Sequence, residues 1–302
     1  MTSPHPGELT AQPERSTLAR WTRYFIERSP LPVLLIVGVG QSLSAFYLFR
    51  PGLDLRPLTL SGVGIIGLLL LMRMMDELKD FEKDKVAHPD RPLPRGLVSR
   101  QELRRVLWST ALLLLAYAGG IAIAGRALAG ALYAFTVGYA FLMFREFFVP
   151  RLLNRNQFVY AVSHQAIVLP MYLFAVAVSS PATTFATRSL WFALTGLGGS
   201  FVYEVSRKLD PNAPPILGTY LRLHGRTAVT LVLLAALALL AISGWKIDVH
   251  RIVWPAVALM LAVIPIIYLR PLRFRIVEGT AALVMIVQML APALQHAWRM
   301  LP

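Results

Sequence analysis

The feature that most constrains the fold of this chain is a series of nine apolar runs, each long enough to cross a lipid bilayer. A membrane-spanning helix needs about 20 mostly apolar residues. Inside the hydrocarbon core every backbone N–H and C=O must bond within the protein, and a helix satisfies that condition by itself. We therefore predict an all-α, polytopic membrane protein with nine transmembrane helices. The runs lie near residues 31–49, 58–75, 105–124, 127–144, 158–179, 188–205, 227–244, 251–269 and 276–297.

The composition agrees with a membrane protein and argues against several other classes. Of the 302 residues, 56% are hydrophobic and 15% are charged, whereas a soluble domain carries about 25% charged residues. The net charge of +14 comes from basic residues that lie between the apolar runs and form no domain of their own, which argues against a nucleic-acid partner. Because the chain has no cysteine, disulfides, thiol nucleophiles and cysteine metal sites are excluded.

The distribution of Lys and Arg predicts how the chain is oriented. Most of the 30 basic residues lie in the N-terminal segment and in the loops after the second, fourth, sixth and eighth runs. Because basic loops stay in the cytoplasm, we expect a cytoplasmic N-terminus and an outward-facing C-terminus in the inner (cytoplasmic) membrane. Residues 1–18 are polar and rich in proline, which predicts a disordered cytosolic tail before a membrane domain at 19–302.

An acid-rich stretch, DELKDFEKDKVAHPDRPLPRG at 76–96, follows the second apolar run directly. Glu77, Asp80 and Asp84 are spaced to share one helix face, and Asp76 lies one turn before Asp80. Acids beside a membrane span are rare and usually functional. Clustered carboxylates without His or Cys favour Mg²⁺, which also binds substrate phosphates. The alternative is a solvated helix end with ordinary ion pairs.

A second charged segment, YEVSRKLDPN, ends the sixth run and contains Glu204, Arg207 and Lys208. Both segments follow even-numbered runs, so they lie on the same side of the membrane. Two charged loops in an otherwise apolar chain indicate one shared site.

The first stretch resembles the first signature of the UbiA superfamily of intramembrane prenyltransferases. That signature is Asn-Asp-x-x-Asp-x-x-x-Asp, followed by Arg-Pro-Leu and a Gly. In this chain Asp76 stands in the Asn place and Glu77 in the first Asp place, so the first two positions are altered. The residues that match the remaining positions are Asp80, Asp84, Arg91, Pro92, Leu93 and Gly96.

The second segment resembles the family's second Asp-rich signature less closely. Glu204 stands in the first Asp place, Lys208 replaces the second, and Asn212 falls where the third would be. Further on, GTYLRLHG is similar to the family's Gly-Thr-x-x-x-x-x-Gly, with Gly218, Thr219 and Gly225 in place. A site with this departure loses most of its second metal-ligand set. We expect Lys208 and Arg207 to neutralise diphosphate oxygens in place of the second metal.

The resemblance implies nine helices around a central cavity open to the cytosolic side. It also implies Mg²⁺-dependent transfer of an isoprenyl group from a prenyl diphosphate to an acceptor, through ionisation to an allylic cation. A membrane-embedded terpene cyclase that uses the same ionisation is an alternative. A transporter or an inactive binding scaffold is a third, although transporters place charges nearer the membrane midplane.

Roles for individual residues follow from the resemblance and from their chemistry. We expect Glu77, Asp80 and Asp84 to ligate Mg²⁺, with Asp76 as a further ligand or a supporting acceptor. Glu204 completes the metal sphere or holds Lys208. The expected diphosphate contacts are Lys83, Arg91, Arg207, Lys208 and Arg145.

Three candidates lie inside the apolar runs. His164 is a candidate base or acceptor-orienting residue, and the alternative is hydrogen bonding with Ser163. Tyr139 and Tyr203 are candidates for shielding the cation with their rings, and the alternative for both is helix packing.

Overall fold

The computed structural model describes residues 16–50, 52, 54–153, 155–269 and 272–300, and over these ranges it contains helices and no strand. Most of the expected tail at 1–18 lies outside the described residues, and the first helix already begins at Thr17. The thirteen α-helices are α1 Thr17–Arg28, α2 Leu31–Tyr47, α3 Leu55–Lys79, α4 Phe81–Ala87, α5 Arg100–Ile123, α6 Ala127–Phe144, α7 Pro150–Leu153, α8 Gln157–Gln165, α9 Val168–Ser179, α10 Thr187–Ser206, α11 Tyr220–Lys246, α12 His250–Val263 and α13 Phe274–Arg299.

The prediction of an all-helical, multi-pass membrane protein is confirmed. Within the described ranges, seven spans are long and apolar enough to cross a bilayer, and an eighth is possible if α1 and α2, bent by 62°, count as one. The helix pair α8 and α9 forms one of the seven. The sixth predicted span, α10, does not qualify because Thr, Ser and Gly residues dilute its apolar character. The exact number of nine spans therefore stays a prediction.

The long helices pack as a closed ring. Consecutive spans are neighbours from α2 through α3, α5, α6, α9, α10, α11 and α12 to α13, and α13 returns to pack on α2. Within the ring α9 also touches α2 and α3, and α10 also touches α13. This arrangement places α3, α9 and α10 around a common interior.

Glycines on α10 let the inner helices approach closely. A Cβ on Gly196 would lie 2.3 Å from the Tyr172 ring on α9, and one on Gly199 would lie 2.4 Å from Gln288 on α13. The Gln288 amide also donates to the Tyr172 hydroxyl over 3.2 Å. Small residues promote such contacts between membrane helices because they let backbones come close.

The break between α8 and α9 has a local cause in Pro170. Proline has no N–H to donate to the carbonyl four residues earlier, so it interrupts a helix. The Ala166 carbonyl accepts from the Leu169 N–H instead, over 3.1 Å. This turn separates α8, which reaches the charged end of the ring, from the buried α9.

The amphipathic α1 is tied to the loop that carries Arg-Pro-Leu. Arg20 donates to the Glu102 carboxylate over 2.8 Å and to the Leu97 carbonyl over 3.3 Å. Arg95 donates to both carboxylate oxygens of Glu27, each over 2.8 Å. These contacts hold the loop between α4 and α5 beside the ends of α3 and α10.

Candidate active site

A cavity of about 600 Å³ lies at the end of the ring where α3 and α10 end. It brings together the two charged segments that the sequence separates by more than one hundred residues. Six of the thirteen candidate residues line it, and the remaining lining residues come mainly from α8 and from the segment between α10 and α11. The lining residues are Asp80, Lys83, Asp84, His88, Arg91, Leu153, Gln157, Tyr160, Arg207, Lys208, Asp210, Ala213, Ile216, Leu217, Gly218, Thr219 and Leu223.

The first motif does not continue along a single helix. The chain bends at Asp80, where α3 ends and α4 begins. Asp84 is buried, with 3% exposure, and both of its carboxylate oxygens accept from Arg91 over 2.7 Å. The Asp80 carboxylate is more open and lies 3.8 Å from the Lys83 ammonium. Of these two acids, Asp80 is therefore the more exposed and the less tightly ion-paired.

Glu77 points away from the cavity, which differs from the expectation that it shares a face with Asp80 and Asp84. It is 2% exposed and forms an ion pair with Arg28 at the end of α1. The physical reason is the ion pair with Arg28 on another helix, while the bend at Asp80 breaks the helix between Glu77 and Asp84.

The second motif forms an ion cluster around the buried carboxylate of Glu204. The Glu204 carboxylate lies 2.6 Å from the Arg207 guanidinium and 2.5 Å from the Lys208 ammonium. Burial acts to lower the pKa of Arg207, but the Glu204 carboxylate outweighs it and the pKa is raised. Lys208 also lies 5.9 Å from the centre of the Tyr220 ring. Glu204 lies behind the cavity wall, and its two cations form part of that wall.

Asp76 and Arg73 on α3 are accessible to solvent although they lie deep among the helices, so both face an interior space. Among the described residues neither side chain has an ion-pair partner within 4.0 Å or a hydrogen-bond partner. The positive charges of Arg28 and Arg207 lie close enough to repel that of Arg73. The interior below the cavity therefore presents Asp76 and Arg73, whose charges act on each other although neither forms an ion pair within 4.0 Å.

Two acidic residues near the cavity could hold one Mg²⁺ ion. Across the described ranges, no three acids or histidines lie close enough to form a metal cluster by themselves. Glu77, Asp84 and Glu204 are each neutralised by Arg or Lys. Asp76 and Asp80 remain, one helical turn apart, and the Asp80 charge acts on Asp76. Mg²⁺ is commonly held by one or two carboxylates, waters and substrate phosphates.

The other candidates do not line the cavity. The Tyr139 hydroxyl donates to the Ser163 carbonyl over 2.7 Å. His164 Nδ1 lies 2.9 Å from the Tyr160 carbonyl, and its Nε2 lies 3.4 Å from the Lys79 ammonium. Both ring nitrogens are thus engaged inside the protein. Arg145 caps the end of α6, and Tyr203 lies on α10 outside the cavity lining.

Several residues besides the candidates of the two motifs contribute to the site. Gln157 lines the cavity and donates to the Gly218 carbonyl over 2.9 Å, and Gly218 has a φ of +54°, which favours glycine. Tyr160 lines the cavity and contacts Lys79. Arg28 could not be found from the motif, because it lies in a separate helix 49 residues earlier.

Comparison with known proteins supports the fold. The chain matches a solved structure of a digeranylgeranylglyceryl phosphate synthase in membranes, with a TM-score of 0.59 and 14% sequence identity, over 92% of this chain and 99% of that one. That protein is an intramembrane prenyltransferase of the UbiA superfamily. No protein-family model and no curated protein sequence matches the chain. The likeness shows that the chain has the fold that the motif resemblance predicted.

Proposed function

We propose that this protein transfers an isoprenyl group from a prenyl diphosphate to an acceptor inside the membrane. The observation that carries the proposal is the meeting of both charged motifs around one cavity, whose lining includes Lys83 and Arg91 from the first and Arg207 and Lys208 from the second. The donor's diphosphate binds among these cations. Its C–O bond ionises to an allylic cation, which the acceptor's nucleophile captures.

The charges of the cavity favour a leaving anion. Its wall carries four basic side chains, Lys83, Arg91, Arg207 and Lys208, against three acidic ones. Preorganised cations stabilise charge as it develops on a departing group, without reorganisation at the moment of reaction. Since Asp84 and Glu204 already take up part of this positive charge, a further cation is needed to balance a diphosphate.

Mg²⁺ is the cation that we propose for this role, held by Asp76 and Asp80 together with diphosphate oxygens. When bound, it supplies Lewis-acid stabilisation of the leaving group. The chain's own residues do the rest. Arg91 and Lys208 orient the diphosphate, and apolar side chains of the wall exclude water from the reactive cation. Those side chains are Leu153, Ile216, Leu217 and Leu223.

The proposed location is the inner membrane, with the cavity open to the cytoplasm and the N-terminus on the same side. The basic segments after α3 and α10 support this orientation, because basic loops remain cytoplasmic. A cytosolic cavity also suits a water-soluble diphosphate headgroup whose isoprenoid tail lies in the bilayer.

The purified protein in detergent with Mg²⁺ and geranylgeranyl diphosphate tests the proposal. Pyrophosphate release that depends on an added membrane-lipid extract, with a prenylated product found by mass spectrometry, is the expected result. A hydrocarbon or alcohol formed without an acceptor would instead indicate a terpene cyclase. Absence of any turnover and of any pyrophosphate binding would favour a transporter or a scaffold.

Two lysines of α4 provide a matched pair for this assay. Lys83 lines the cavity, whereas Lys85 pairs with Glu82 at 3.3 Å and does not line it. The two side chains are similarly exposed, at 56% and 50%. We expect Lys83→Met to raise the KM for the diphosphate and Lys85→Met to leave it unchanged.

A further inference from the structure

A cluster of polar side chains lies behind the cavity wall and centres on Lys79, the last residue of α3. Its ammonium donates to the Tyr160 hydroxyl over 2.7 Å and lies 3.4 Å from both the Glu146 carboxylate and His164 Nε2. The Met143 carbonyl is a further acceptor at 3.4 Å. Among these residues Tyr160 lines the cavity, so the cluster reaches the substrate space through it.

The hydrogen-bond pattern leaves the Tyr160 proton for a ligand. The hydroxyl oxygen accepts from Lys79, and across the described ranges the hydroxyl donates to no protein acceptor. Charged groups of both motifs act on this hydroxyl, including Asp80, Asp76 and Glu204. Tyr160 thus lines the same cavity as residues of both motifs, including Asp80 and Arg207.

The Tyr160 ring is held in place by stacking on one face. The His164 imidazole stacks on it with ring centres 3.8 Å apart, and the Lys79 ammonium lies 4.9 Å from the ring centre. The imidazole therefore covers one face of the ring, and the ammonium lies beside the hydroxyl. We expect the hydroxyl to be the part of Tyr160 that acts on a substrate.

A strained turn supports the cluster from the other side. Glu146, Phe147 and Phe148 all have positive φ, between 49° and 60°. Non-glycine residues in this region cost of order 1–3 kcal/mol each, and such turns persist where the surroundings hold them. The turn places Glu146 against Lys79 and the Phe147 ring 5.7 Å from the His164 ring.

We propose that Tyr160 is a catalytic residue that donates a hydrogen bond to the departing diphosphate, with Lys79 as its positioning residue. This inference rests on the proposed function. As the C–O bond of the donor breaks, its electron pair moves to a diphosphate oxygen, and the Tyr160 proton approaches that oxygen without being transferred. Donation from Lys79 polarises the hydroxyl and strengthens it as a donor.

Pyrophosphate binding, measured by calorimetry on the detergent-purified full chain, tests the proposal. The titrations are run once with chelator and once with Mg²⁺. Because hydrogen bonds to charged groups are strong, Tyr160→Phe should weaken pyrophosphate binding by about 10- to 100-fold under both conditions. Tyr117→Phe is the matched control, since this hydroxyl donates to the Leu60 carbonyl away from the cavity. The Tyr117→Phe variant should bind pyrophosphate with the same affinity as the unaltered protein.

Lys79 is tested through its coupling to Tyr160. Lys79→Met should weaken pyrophosphate binding, Lys79→Arg should recover part of it, and the double variant Lys79→Met/Tyr160→Phe should lose little more than Tyr160→Phe alone. A purely structural role for Lys79 would instead give additive losses. In turnover, Tyr160→Phe should lower kcat more than it raises KM.

The outcomes separate this inference from the function on which it rests. If the unaltered chain binds pyrophosphate and Tyr160→Phe binds it equally well, the role of Tyr160 is overturned and the proposed function stands. Additive losses in the double variant overturn the positioning role of Lys79. If the unaltered chain neither binds pyrophosphate nor turns over prenyl diphosphate, the proposed function fails and this inference fails with it.

Discussion

The ammonium of Lys208 lies 2.5 Å from the carboxylate of Glu204, one turn away on the same segment. Where the UbiA resemblance leads one to expect a second acid, this chain carries a cation that lines the cavity. A metal ion and a lysine both bring positive charge to a diphosphate. The metal ion must be held by several protein ligands, whereas the lysine needs none. The pair therefore supports the expected replacement of a second metal by side chains.

Substitution of Lys208 tests that replacement. Lys208→Ala should lower kcat/KM by about 10- to 100-fold, because a charge-assisted contact to the diphosphate is lost. Lys208→Asp places a second carboxylate beside Glu204 and should regain activity as Mg²⁺ is raised. A Mg²⁺ titration of both variants provides the measurement. Equal loss in both, at every Mg²⁺ concentration, would show that Lys208 does not stand in for a metal.

The Arg28–Glu77 ion pair should matter for stability more than for metal binding. Arg28→Gln leaves the Glu77 carboxylate buried and unpaired, which costs about 3–5 kcal/mol. Thermal unfolding in detergent should show a clearly lower Tm, and the double variant Arg28→Gln/Glu77→Gln should recover much of the loss.

The control lies on the same helix. The Arg23–Glu27 pair is more exposed, at 41% and 30%, so Arg23→Gln should cost only about 0.2–1 kcal/mol. If the single and double variants at Arg28 and Glu77 unfold at the same temperature, the pair contributes nothing specific to stability.

Much of the fold could be predicted from the sequence because the bilayer restricts the choices. Each of the nine apolar runs falls on a helix or on a broken helix pair, since lipid leaves the backbone no other partner. The amphipathic α1 was not foreseen, because its twelve residues are too polar to indicate a span and too few for a strong helical signal. Its role depends on Arg20 and Arg95, whose partners lie far away in the chain.

The site was less predictable than the fold. Spacing alone suggested that Glu77 joins Asp80 and Asp84, and the bend at Asp80 overrides that spacing. The contacts that decide the arrangement cross long distances in sequence. Lys79 and Tyr160 are 81 residues apart, so neither charge patterning nor motif position reveals their contact.

Gly196 provides a test of the packing around the interior. Gly196→Ala would place a methyl group 2.3 Å from the Tyr172 ring. Since overpacking of a well-packed core typically costs 1–3 kcal/mol, we expect a lower Tm, measured by thermal unfolding in detergent.

Gly119 on α5 is the control, because a Cβ there meets open space. Gly119→Ala should leave the Tm unchanged or raise it slightly, since alanine favours a helix over glycine by about 1 kcal/mol. An equal response at both positions would mean that the Tyr172–Gly196 contact is not tightly packed.

The last prediction concerns which carboxylates hold Mg²⁺. Chelation should abolish turnover. Asp76→Asn and Asp80→Asn should raise the Mg²⁺ concentration for half-maximal activity by at least roughly tenfold, because loss of even an outer partner typically costs 10–100-fold in metal affinity. Glu77→Gln should leave that concentration unchanged, since Glu77 is already neutralised by Arg28.

The three variants distinguish the ligand set expected from motif spacing from the ligand set expected from the structure. A set of metal ligands chosen by spacing alone includes Glu77. It predicts that all three variants raise the Mg²⁺ concentration for half-maximal activity equally. The structure instead predicts a shift for Asp76 and Asp80 alone, because Asp76 has no ion-pair partner within 4.0 Å among the described residues and Asp80 has only the exposed Lys83 at 3.8 Å. Glu82→Gln, at an exposed position outside the cavity, controls for a general loss of negative charge on α4. A Glu77→Gln shift as large as that of Asp80→Asn would place Glu77 in the metal site and overturn the assignment of the metal to Asp76 and Asp80 alone.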